Sequence, residues 1–131
     1  MKSETTIRVR YAETDQMGVA HHSAYVAWLE LARVDWLSAA GLDYAAIEES
    51  GIFFPVVELG LQYKRPARFN DEVRVACWLA ELASRKFVMR YSLHIGEKEI
   101  ATAFTTHVPQ DGEGKARRLP AELMRRLERA R

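Results

Sequence analysis

The chain has 131 residues, 48% of them apolar and 28% charged, with a formal net charge of +1. That length suits one domain, 1-131, and the near-neutral balance argues against a protein dominated by nucleic-acid binding. Met1 to Thr6 lacks a signal-peptide core, no run of roughly 18 apolar residues follows, and the lone Cys77 cannot close an internal disulfide. The expectation is therefore a cytoplasmic protein with no membrane span.

The first strand is predicted over Thr5–Tyr11, where Ile7, Val9 and Tyr11 alternate with polar residues. A loop from Ala12 to His22 contains Asp15-Gln16-Met17-Gly18, an Asp-x-x-Gly pattern that suits a tight turn. A helix then runs from Ser23, the expected N-cap, to Ala40, with Gly41 placed to stop it. Tyr25, Trp28, Leu29, Ala32, Trp36 and Ala40 recur at helical spacing. Leu31, Val34 and Leu37 widen the stripe, so this helix is expected to be wrapped by other structure.

A shorter helix is predicted near Tyr44 to Ser50, and from Phe54 the period changes to two. Val57, Leu59, Leu61 and Tyr63 should share one face, as should Val73, Val75, Cys77 and Leu79. Phe87, Met89, Tyr91, Leu93 and Ile95 form a third set. Gly96-Glu97-Lys98 suits a hairpin into a last strand over about Glu99–Val108, and Pro120 opens a short arginine-rich helix. This order predicts an α+β fold, an antiparallel curved sheet around one long helix. A helix of about 18 residues spans roughly 27 Å and a strand of about 9 residues roughly 30 Å, so the sheet can wrap the helix end to end. A lone sheet leaves edges uncovered, which favours a homodimer or homotetramer.

The richest segment for chemistry runs from Tyr11 to Tyr25. A carboxylate, Asp15, sits in a tight loop, Gly18 lets the backbone turn, and helical N–H groups without internal partners follow. Such donors can polarise a carbonyl while a carboxylate attacks it or activates water. Asp15 bonding only its own turn is the plainer alternative. His21 and His22 are adjacent, poor spacing for one metal, and neither Cys-x-x-Cys nor His-Glu-x-x-His is present, so no metal or cofactor is expected. Glu30 is a rival carboxylate, but Arg33 three residues on offers it a helical ion pair. His94 and His107 read as ordinary strand residues. The arginines of the last helix read as a solvated face.

The stretch Val9–Arg33, with Tyr11, Asp15, Gly18 and Tyr25 in the pattern Tyr-x-x-x-Asp-x-x-Gly-x-x-x-x-x-x-Tyr and Glu30 and Arg33 on the helix, resembles the 4-hydroxybenzoyl-CoA thioesterase family, including its Tol-Pal-associated acyl-CoA thioesterases. Tyr63-Lys64-Arg65-Pro66-Ala67, Asn70-Asp71-Glu72-Val73 and Arg118-Leu119-Pro120 extend the resemblance more loosely. It implies the hot-dog fold, about five strands around a central helix, and an acyl-CoA thioesterase. Asp15 would be nucleophile or general base, the backbone N–H of His22 the donor to the carbonyl, and Tyr25 an orienting neighbour. Gly18 and Val19 would lie against the substrate. From the residues themselves, Lys64, Arg65, Arg68, Arg85 and Lys86 are expected to form a rim for the coenzyme's phosphates. The rivals are a hot-dog dehydratase or hydratase, which needs a catalytic histidine, and a non-catalytic acyl-CoA or acyl-carrier-protein binding module.

Overall fold

A computed structural model describes all 131 residues. Strand β1 (Lys2–Arg8) leads through a single 3-10 turn (Tyr11–Glu13) to helix α1 (Ala24–Ala39) and helix α2 (Tyr44–Glu49). Strands β2 (Val56–Tyr63), β3 (Glu72–Ala83), β4 (Lys86–Ile95) and β5 (Lys98–His107) follow, and helix α3 (Ala121–Ala130) ends the chain. The strands form one sheet in the order β1-β3-β4-β5-β2, with every neighbouring pair antiparallel. This is the expected α+β hot-dog architecture. No helix is long and apolar enough to cross a membrane.

The period-two pattern makes the sheet one-sided. Val73, Val75, Cys77 and Leu79 of β3 are buried, as are Phe87, Met89, Tyr91 and Leu93 of β4. Against them α1 sets Tyr25, Trp28, Leu29, Ala32, Trp36 and Leu37, all buried. Gly41 ends the helix at φ +78, where Gly41 and Leu42 donate their N–H groups to the carbonyls of Ser38 and Leu37. That pair of bonds needs the left-handed conformation that glycine supplies cheaply. Cys77 lies beneath α1, where burial pushes its thiol up to about 12 and leaves it unreactive.

Four expectations need correction. Strand β1 ends at Arg8, and Tyr11 is exposed in the 3-10 turn, because Arg10 and Glu13 cap each other and turn the chain away from β3. Ser23 sits at the N-cap position, but its hydroxyl bonds His21 Nδ1 at 2.7 Å and caps no helical N–H. A bulge between Val56 and Glu58 breaks the alternation of β2: Val56, not Val57, pairs with buried His107. Finally, α1 is covered on one side only, since it packs on β1 and β3. Val26, Leu31 and Val34 stay exposed, together with Val56, Val57, Leu59 and Tyr63 of edge strand β2.

Candidate active site

The loop between the 3-10 turn and α1 is a closed, hydrogen-bonded unit. Asp15 and Val19 bridge through Asp15 N–H to Val19 O at 2.9 Å, and Gly18 N–H donates to Asp15 O at 2.9 Å. Gly18 makes this turn possible at φ +77. One Asp15 oxygen, Oδ1, accepts the Met17 N–H at 2.9 Å, the plain turn role; Oδ2 makes no bond within the chain, and the residue is exposed. The return strand of the loop is anchored too: Ala20 N–H donates to Ala67 O and His21 N–H to Glu13 O, both at 2.7 Å.

Glu13 does more than the sequence suggested. Its carboxylate accepts the Arg10 N–H at 2.8 Å and the Trp28 indole N–H at 2.9 Å, tying the Asp15 loop to α1. Burial alone would raise its pKa, but the Arg10 N–H, the Trp28 indole and the Arg10 guanidinium outweigh it and hold the carboxyl below its ordinary value. The available signal was the three-residue spacing from Arg10, a capping-box separation without the usual Ser or Thr.

At the start of α1 the backbone N–H groups of His22 and Tyr25 find no acceptor in the chain. Beside them lies an open cleft of about 290 Å³, lined by Val19, Ala20, His22, Tyr25, Tyr63, Lys64, Arg65 and Pro66. Five residues singled out from sequence thus meet here: Val19, His22, Tyr25, Lys64 and Arg65. Tyr63, not singled out for the site, closes the wall: its hydroxyl donates to His22 O at 2.9 Å, and its ring meets Tyr25 edge-on at 4.9 Å. Lys64 is ion-paired with Glu99. Asp15 and Gly18 stand on the adjoining turn, outside the lining of this cleft.

Arg85 and Lys86 do not join that group. They belong to the hairpin between β3 and β4, at the level where Phe87 pairs with His107. Lys64 and Arg65 instead donate their N–H groups to Ile100 O at the other end of β5, about 20 Å away along the strand. The helical ion pair expected for Glu30 is absent as well. Glu30 is exposed without a partner, and Arg33 turns inward, where it is 8% exposed and donates from Nη1 to Tyr91 Oη at 3.1 Å.

That contact begins a buried polar chain. Tyr91 Oη lies 2.7 Å from Thr105 Oγ1, Thr105 Oγ1 lies 2.8 Å from His107 Nε2, and His107 Nδ1 lies 3.0 Å from Phe54 O. His107 is fully buried and stacked on Phe87 with centroids 4.8 Å apart. Desolvation, aided by the charge of Arg33 and only partly opposed by the Phe54 carbonyl, lowers its pKa to about 4, so the ring is neutral. Elsewhere, no group of three or more His, Cys, Asp or Glu side chains is arranged to hold a metal ion.

The profile of the Thioesterase-like superfamily matches residues 9–127. The chain belongs to that superfamily. It is 33% identical over 112 residues to YneP of Bacillus subtilis, named as a candidate acyl-CoA thioesterase, covering 85% of this chain and 81% of that one. The crystal structure of the hypothetical protein TT1821 from Thermus thermophilus superposes with a TM-score of 0.95 at 50% identity, covering 98% and 99% of the two chains. The DHNA-CoA thioesterase of Staphylococcus aureus superposes with a TM-score of 0.91 at 32% identity, covering 98% and 87%. Membership bears out both the fold and the enzyme class, a thioester hydrolase, anticipated from the Tyr11–Tyr25 segment.

Proposed function

We propose that this chain hydrolyses acyl-coenzyme A thioesters, in the manner its resemblance to the 4-hydroxybenzoyl-CoA thioesterases implies. The observation that carries the reading is one short loop that presents a carboxylate oxygen without a partner, Asp15 Oδ2, and leads into an unsatisfied N–H, that of His22. The cleft that Tyr25 and Tyr63 line receives the thioester, and its carbonyl oxygen accepts from the His22 N–H near the positive end of α1. Asp15 attacks the carbonyl carbon, giving an anhydride that water then opens, or takes a proton from the attacking water. Either route yields the free acid and coenzyme A. The coenzyme thiol, with a pKa of about 8.5 like that of cysteine, leaves without a strong general acid. Lys64 and Arg65 at the cleft mouth hold the coenzyme's phosphates.

The working unit is a homo-oligomer, supported by the uncovered apolar residues of α1 and β2 described above. A dehydratase has less support: His21 Nδ1 is engaged with Ser23, and His107 is sealed in the core.

The deciding experiment is Asp15→Asn, assayed with a thiol-trapping dye. Asparagine preserves the turn bond to Met17 but not the charge. Turnover should fall roughly 10²-fold or more while the fold and substrate binding persist. A folded Asp15→Asn with near wild-type kcat would leave Asp15 a turn residue and sink the proposed mechanism.

A further inference from the structure

The sheet carries α1 on its inner face, and the strand register lays out the outer face in rows. Lys2, Trp78, Arg90, Phe104 and Gly60 stand abreast across all five strands. Two residues along each strand, Glu4, Ala76, Ser92, Thr102 and Gln62 form the next row. The first row is tall and the second low. Lys2 Nζ sits 4.4 Å from the centre of the Trp78 ring, and Phe104 lies over Gly60, where a Cβ would strike its ring. Trp78 and Phe104 are half-buried, and with the low Ser92 and Thr102 they line a trough of about 530 Å³.

The charges of this face alternate along the strands. Glu81, opposite Val88, lies one row beyond the tall row, and Arg74, opposite His94, one row beyond the low row. The order is therefore Glu81, then Lys2 and Arg90, then Glu4, then Arg74. Lys2, Arg90 and Glu81 are exposed, and none lies within ion-pair distance of an opposite charge. Glu4 and Arg74 hold each other at 3.4 Å.

A pattern that changes sign across the line between the tall and low rows is complementary to itself. A two-fold axis along that line, in the plane between two outer faces, sets the tall row of one copy on the low row of the other. Lys2 then meets the partner's Glu4, and Glu81 meets the partner's Arg74. Trp78 comes over the partner's Ala76 and Phe104 over the partner's Thr102, so large side chains meet small ones. An axis along β4 instead sets Arg90 against the partner's Arg90 and Trp78 against the partner's Phe104. That arrangement opposes like charges and stacks bulk on bulk. Aligned sheets pack about 10 Å apart with strands within roughly 30° of each other, a gap that Lys, Glu and Arg side chains span. Five strands and four rows offer up to about 1,300 Å² over both copies, inside the range of stable interfaces.

We propose that the outer face of the sheet is a second self-association surface, on which two copies pack back to back about an axis across the strands. It is separate from the exposed apolar residues of α1 and β2, and together the two contacts build a dimer of dimers. The pairing does not depend on the proposed hydrolysis.

Two double variants test it. Glu4→Lys with Arg74→Glu reverses both charges and keeps their ion pair within the chain. Lys2→Glu with Glu81→Lys reverses the two groups that oppose them. Alone, each sets like charges across the axis and should halve the mass of the wild-type assembly in sedimentation velocity at equal concentration. Mixed in equal amounts, the two variants face each other with opposite charges at every one of these contacts. The full mass should return, and native mass spectrometry with one variant isotopically labelled should find both in each assembly. Double variants that keep the wild-type mass, or a mixture that stays at half mass, would sink the proposal, as would a monomeric wild type. Ser92→Cys decides the matter where a double variant does not fold. Cys77 is buried, so the new thiol is the reactive one, and the axis leaves it about 12 Å from its counterpart. A bismaleimide should join two such copies, and should not join copies of a Glu97→Cys control at the hairpin tip, about 30 Å apart in this arrangement. Equal cross-linking of both, or of neither, would rule the back-to-back register out.

Discussion

Acidification should destabilise this protein through one histidine before most carboxylates contribute. His107 has a native pKa of about 4 against an ordinary value of 6.5, because it is fully buried and feels the charge of Arg33. Between those values the unfolded chain binds a proton that the native state refuses, so stability is complete above pH 6.5 and is lost as pH falls toward 4. With about 1.4 kcal/mol per pKa unit, the loss reaches about 2.5 kcal/mol at pH 4.5. The depressed carboxyls Glu13, Glu99, Asp111 and Glu122 act lower, from their ordinary values downward, so the slope between pH 6.5 and 4.5 belongs mainly to His107. Urea unfolding followed by tryptophan fluorescence, at fixed protein concentration and stepped pH, measures it. His107→Gln supplies a donor and an acceptor that do not titrate, and should flatten the curve over that window. An equally steep curve in His107→Gln, or a native His107 titrating near 6.5 by NMR, would refute the reasoning.

Three further outcomes follow from the same contacts. Glu13→Gln should cost about 1–2 kcal/mol of stability, the scale of a lost charged hydrogen bond, and should lower kcat by loosening the Asp15 loop; unchanged urea midpoint and kcat would deny Glu13 that role. Sedimentation over falling concentration should show a dimer or larger assembly, and an active monomer at low micromolar concentration would leave the exposed apolar side of α1 and β2 without an occupant. Added salt should raise KM more for full-length coenzyme A substrates than for truncated thioesters, and Lys64→Ala with Arg65→Ala should remove the difference; equal salt dependence would make both residues ordinary solvated surface.

Most of the fold was legible because burial imposes periodicity: α1 and strands β3 to β5 repeat apolar residues at the spacings their geometry demands. What escaped has a common cause, since it depends on partners distant in sequence. The bulge at Val57 is set by where β2 meets β5, and the alternation Val57, Leu59, Leu61, Tyr63 continues through it unmarked. Arg33 was paired with Glu30 because they are helix neighbours, yet Tyr91, 58 residues away, accepts its Nη1–H in a hydrogen bond. The separation of Arg85 and Lys86 from Lys64 and Arg65 could have been inferred. Once β4 and β5 are read as a hairpin at Gly96, the start of β4 must lie at the far end of β5 from Ile100. Lys64 follows the end of β2, which pairs with the beginning of β5, so the four cations could never share one mouth within a single chain. Strand order, applied as strictly as strand period, would have removed Arg85 and Lys86 from the phosphate rim.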